Sequence, residues 1–159
     1  MRKRIIPLVA TLVIIVLSIV SISLYQDKKE AEEDIYRKEL LIFQNHVTGT
    51  VRAVEAKEEK LLEEKLLQLS TFETFHSRTL EFGVECQILV DTYKEGILHL
   101  LNAEPDNYSV VNDELSEIFN TIVSNKETDW NEKEFNSLVA ELFPIVENFR
   151  DEAETLSEG

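Results

Sequence analysis

Apolar residues in this chain form one unbroken block and then a series of one-faced stripes. The block is IIPLVATLVIIVLSIVSISLY, residues 5–25, and it holds no charged side chain. Wound as a helix, about 20 apolar residues match the hydrocarbon thickness of a bilayer. From Gln26 the pattern changes. Tyr36, Leu40, Phe43, Val47, Val51 and Val54 recur at steps of three and four, so they share one helix face. Leu62, Leu66 and Leu69 carry the stripe on, and the spacing predicts one long helix that ends at Leu69. A second stripe runs through Phe75, Thr79, Phe82, Cys86, Leu89, Tyr93, Ile97 and Leu100 as a heptad-like seam. Val111, Leu115, Ile118 and Ile122 mark a third, shorter helix. Phe135, Leu138, Leu142, Ile145, Val146 and Phe149 mark a fourth.

Local signals set the expected boundaries. Ser70-Thr71-Phe72-Glu73 reads as a capping box, which places a helix start there, with a helix unbroken through this point as the alternative. Glu104-Pro105-Asp106-Asn107 is a turn, and the third helix is expected from Ser109 to Ser124. Asn107-Tyr108-Ser109 has the form of a glycosylation sequon, meaningful only in a secreted eukaryotic chain. Asp129 with Glu132, or Thr128, is the expected cap of the fourth helix. Pro144 inside that helix predicts a kink near Ala140 to Phe143, because it removes one backbone bond. The final stretch, DEAETLSEG, is expected to fray. Gly49, inside the first stripe, allows a bend or a close helix contact.

The expected fold is all-α: an N-terminal transmembrane helix followed by an extracytoplasmic amphipathic helical bundle of about four helices, the first two long. Its segments are a basic stub (1–4), an anchor (5–25), a long juxtamembrane helix (26–69) and an acidic helical region (70–159) packing on it. The rival is an extended coiled coil that dimerises through the first two helices. With no Pro between anchor and first helix, residues 5–69 could form a rod of roughly 100 Å.

Arg2, Lys3 and Arg4 stand before the block, and Lys28 and Lys29 after it are interleaved with Asp27 and Glu30. Basic residues stay on the cytoplasmic side, so the N-terminus is expected inside and the remainder outside, at a cell membrane. Tyr25 sits where the span would meet the interface. A cleaved signal peptide is the alternative, with Ser21-Ile22-Ser23 as small residues at suitable spacing. The apolar run exceeds the usual signal core of about 7–15 residues, which favours an uncleaved anchor.

Charge narrows the partners. The chain carries −15 overall; without the three basic residues of the stub, 13 basic stand against 31 acidic residues, or −18. From Asp27 to Lys65 there are 8 basic and 11 acidic residues, and from Leu66 onward 5 and 20. The distal acidity argues against nucleic acid, which needs a basic footprint. It also argues against lying on anionic lipid.

Candidate chemistry is sparse. Glu73 and His76 form half of a ferritin-like di-metal motif, with Glu95 and His99 four apart on another helix. The other ligands of such a site are missing, so no metal is expected. His46 could respond to pH near the first stripe. Cys86 lies on an apolar stripe and reads as a buried hydrophobe. Four Gly, none followed by Lys-Ser or Lys-Thr, leave no phosphate loop. No nucleophile elbow is present either. The expectation is a non-enzymatic protein without cofactor, whose outer domain binds another envelope or membrane protein, or itself. Phe82, Cys86, Leu89, Tyr93, Ile97 and Leu100 are the core or interaction stripe, and Arg2, Lys3, Arg4 and Tyr25 flank the anchor. The alternative is an extracytoplasmic bundle that senses a ligand or ion in a pocket between helices. The layout resembles that of chemoreceptor sensor domains and of small single-span cell-division proteins, a likeness that implies no activity.

Overall fold

The computed structural model describes the backbone at residues 2–76, 84–125 and 130–159, and side chains at 13–70, 86–125 and 130–159. Every element among these residues is helical. They are α1 (Arg2–Ala56), α2 (Glu59–His76), α3 (Val84–Asn102), α4 (Asn112–Ser124) and α5 (Glu132–Glu158), with a 3₁₀ turn at Pro105–Val111 leading into α4. Phe75 and Phe82 lie outside the described side chains.

Residue pairs give the helix directions. The chain reverses at Lys57-Glu58, and Lys65 lies on Gly49, at equal distance from that corner. Glu39 stands near Cys86, and the Phe43 ring meets Tyr93 with centroids 5.3 Å apart, so α1 and α3 run the same way. Tyr93 meets Phe149 at 5.3 Å, and His99 Nδ1 lies 3.3 Å from Ser157 Oγ, so α5 runs with them. The described bundle is therefore up-down-up-down-up. α3 and α5 share the largest interface; α1 packs on α2 and α4, and α4 also on α5. The rings of Phe43, Tyr93 and Phe149, one from each parallel helix, occupy the middle of the core.

The long first helix ends earlier than the stripe implies. Lys57 N–H donates to the Val54 carbonyl at 3.1 Å, and Glu58 N–H to the Ala53 carbonyl at 2.9 Å. With Lys57 at φ 54°, this is a Schellman cap. Gly usually fills that position, and a left-handed Lys costs about 1–2 kcal/mol. The corner thus carries no local sequence mark, and the first stripe is divided between α1 and α2. What the pattern shows as one helix over 26–69 is a hairpin, which brings the helices packed around the core to five. The two halves fold back on each other within one chain, and no rod reaches Leu69.

Other boundaries move for similar reasons. No helix starts at Ser70: its hydroxyl donates to the Leu66 carbonyl at 3.0 Å, inside α2. A cap needs non-helical backbone, which this four-residue match lacks. α5 is capped by Asn131, whose side chain accepts from Glu134 N–H at 3.1 Å. Asp129 and Thr128 lie outside the described residues. Trp130, just before the cap, meets Phe135 edge-on at 6.3 Å, the hydrophobic staple that sets the entry angle. α4 starts at Asn112 because the 3₁₀ turn runs through Ser109 and buries Tyr108 and Val111. α5 continues past Pro144 to Glu158. Its final turns stay helical because Ala153 is fully buried and Leu156 packs on the core.

Among the described residues, no helix is long and apolar enough to cross a membrane. The expected anchor, 5–25, straddles the limit of description, since the side chains of Ile5 to Leu12 lie outside it.

Candidate functional site

α1 divides into three parts that differ in what surrounds them. From Leu40 on, its apolar face joins the core, with Leu40, Phe43, Val47, Ala53 and Val54 buried. Tyr36 is the first residue packed against that core, its ring 5.0 Å from Phe135. From Gln26 to Glu32 the helix is polar apart from Ala31, and every residue is exposed. Lys28 pairs with Glu32 and Lys29 with Glu33, each at 3.3 Å and four residues apart. A helix that is polar all round is stabilised by such pairs.

The first part is the candidate site. Val13, Ile14, Ile15, Val16, Leu17, Ile19, Val20, Ile22, Leu24 and Tyr25 are 47% to 71% exposed. These residues cover the full circumference of the helix, and none joins the core cluster. An apolar surface this continuous marks a contact with lipid or another protein. Ser18 Oγ donates to the Ile14 carbonyl at 2.9 Å, so its hydroxyl is satisfied within the helix. Arg2, Lys3 and Arg4 lie on the same helix, with side chains outside the described set.

Of the heptad-like seam, Leu89, Tyr93, Ile97 and Leu100 are buried between α3 and its neighbours, and Cys86 is partly buried. They build the core of this chain. Tyr93 is fully buried, and burial raises its phenol above the usual range. Thr50 is the polar group beside it, its own hydroxyl directed to the His46 carbonyl at 3.2 Å. Burial, with the nearby Glu39 carboxylate, pushes the Cys86 thiol up to about 12. A thiol held protonated is a poor nucleophile and metal ligand. His46 is buried on α1, and burial together with Lys65 lowers its pKa, which favours neutral imidazole.

Among the described residues, the possible metal ligands are not assembled. His99 is directed to Ser157, and Glu95 is exposed. The side chains of Glu73 and His76 lie outside the described set. Among the described residues, no group of three or more His, Cys, Asp or Glu is placed to hold a metal ion. A shallow open depression of about 460 Å³ lies beside Asp27, Glu30, Glu33, Asp34 and Arg37 on α1.

Two structural residues escaped the periodicity. Trp130 is buried to 1% exposure at the foot of α5. Its mark in the sequence was the staple spacing to Phe135 around Asn131. Lys57 donates to Asp106 at 2.6 Å, tying the α1–α2 corner to the 3₁₀ turn and holding the Asp106 carboxyl below its usual range. No pattern within the sequence foretold that pair, because 49 positions separate its members.

No protein-family model, no curated protein and no solved structure matches the chain.

Proposed function

We propose that this is a non-enzymatic, single-pass membrane-anchored protein whose outer helical bundle mediates protein–protein interaction at the cell envelope. The observation that carries the reading is the exposed apolar band from Val13 to Tyr25 on all sides of α1. With Ile5 to Leu12 before it, the band completes an apolar run of the length a bilayer needs. Arg2, Lys3 and Arg4 before the run support an N-terminus in the cytoplasm and a bundle outside. The bundle offers a strongly acidic surface, with its one thiol and His46 held neutral. Such a surface suits recognition of a basic partner more than catalysis.

The test uses tagged full-length protein in native membranes. An alkaline carbonate wash should leave it in the pellet, and crosslinking before purification should recover a specific second protein. Release by carbonate would refute the anchor. Recovery of the protein alone, or only as its own oligomer, would refute the partner reading.

A further inference from the structure

We propose that residues 26–35 of α1 are a rigid spacer that fixes the height and rotation of the bundle above the bilayer. The inference rests on the anchor reading and adds the geometry by which the bundle meets a neighbour. α1 is a single helix from Arg2 to Ala56, with no break between the apolar band and the core. The band ends at Tyr25, and the core begins at Tyr36. Ten residues separate them, and the eleven steps from Tyr25 to Tyr36 rise about 16 Å along the helix. The headgroup layer takes roughly 6 Å of that, leaving about 10 Å in water.

That gap matches the chemistry of the bundle's foot. α1, α3 and α5 run the same way, so their N-terminal ends face the membrane together. The foot carries Glu132, Lys133 and Glu134 in the first turn of α5, with Glu33, Asp34, Arg37 and Lys38 on α1. The carboxylates of Glu132 and Glu32 both act on the Tyr36 hydroxyl, so negative charge from α5 and α1 converges there. With four carboxylates against three cations, anionic headgroups would repel this end weakly. Screening at physiological salt decays over about 8 Å, so a gap of about 10 Å removes most of the repulsion. A floppy tether would let the foot touch the surface. The spacer instead holds a helix of fixed phase with two i,i+4 ion pairs and neither Gly nor Pro. The bundle portion of α1, residues 36–56, then spans about 30 Å further outward. A partner must present its docking face within that layer, as a neighbouring membrane protein with a short outer domain would.

The test is spin labelling of the full chain, with Cys86→Ala as background, in vesicles of phosphatidylcholine and phosphatidylglycerol. Labels replace Leu17, Glu30, Ala31 or Glu32 one at a time; the last three lie on different sides of the helix, about 100° apart. The Leu17 label should be reached by oxygen, and the other three by a water-soluble nickel chelate to similar extents. A double label at Glu30 and Glu55 should give one narrow distance near 38 Å, from about 1.5 Å per residue. Ala31→Pro should broaden that distribution while leaving the melting of the bundle in place. A broad distribution in the unmodified spacer, or a shielded label at 30, 31 or 32, overturns the spacer while Leu17 stays in lipid. A water-exposed Leu17 overturns the anchor, and the spacer with it.

Discussion

Gly96→Ala should destabilise the bundle, although a helix interior favours Ala. Gly96 is buried within α3, and the Phe149 ring of α5 lies directly over it. A Cβ built there would overlap the ring. Phe149 is fully buried, and its own ring stacks against Tyr93 at 5.3 Å, which stands in turn on Phe43 at 5.3 Å. The ring therefore has nowhere to retreat without moving α5. Overpacking of this kind costs about 1–3 kcal/mol. The helix-propensity gain is about 1 kcal/mol. The expected net loss is about 1 kcal/mol, and Tm should fall by about 3–5 °C for a domain of this size. Gly49→Ala is the internal control. Its Cβ would meet the Cδ and Cε atoms of Lys65, the far end of a flexible side chain. That chain can swing aside, so propensity should win, with a gain of about 0.5–1 kcal/mol. Denaturant unfolding of both variants, followed by circular dichroism in one detergent, measures the two signs. A Gly96→Ala protein as stable as the unsubstituted one would refute the α3–α5 packing argued here.

Three further outcomes follow from the same structure. Asn131→Ala removes the side-chain acceptor for Glu134 N–H and should cost about 1 kcal/mol, seen as a lower denaturation midpoint with unchanged slope. His46 has its pKa lowered in the fold by burial and by Lys65, so the unfolded chain takes up its proton first. Its contribution is complete above the unfolded pKa of about 6.5 and is lost as pH falls toward the lowered folded value. Between about pH 7 and 5 the unsubstituted protein should lose more stability than His46→Gln, and parallel curves would contradict this. Cys86, with its thiol pushed up to about 12, should stay unmodified by a disulfide reagent at pH 8 and react fully once denaturant is added. Rapid labelling of the native protein would show the α1–α3 seam to be open.

How much was legible depended on how local each signal is. Helical content and the stripe of α3 follow from period and composition, because an apolar face must be buried whatever covers it. The interval from Tyr25 to Tyr36 was readable too, since a change from apolar to charged residues needs no tertiary context. The corner at Lys57 was not. Every residue from Glu55 to Glu64 is a fair helix former, and the reversal exists because α2 gains more by packing on α1 and α3 than the left-handed Lys57 costs. Ser70 erred in the other direction: its local match to a cap is overruled by the continuous apolar face that Leu62, Leu66 and Leu69 present to the bundle. Trp130 carries no periodic signal, because a single aromatic before a cap has no period.

The sequence by itself determined that this chain is helical, that its charges gather away from the apolar block, and that basic residues precede that block. These are properties of composition and spacing, carried by the residues wherever they sit. Only the tertiary structure decided which stripes face one another. It folded the first long stripe back on itself, made α3, α5 and the core-forming part of α1 parallel, and seated Phe149 on Gly96. It also kept Val13 to Tyr25 out of the core. The physical reason is that an apolar face specifies that it must be covered, while the covering surface is chosen by shape and by the helices that happen to be within reach.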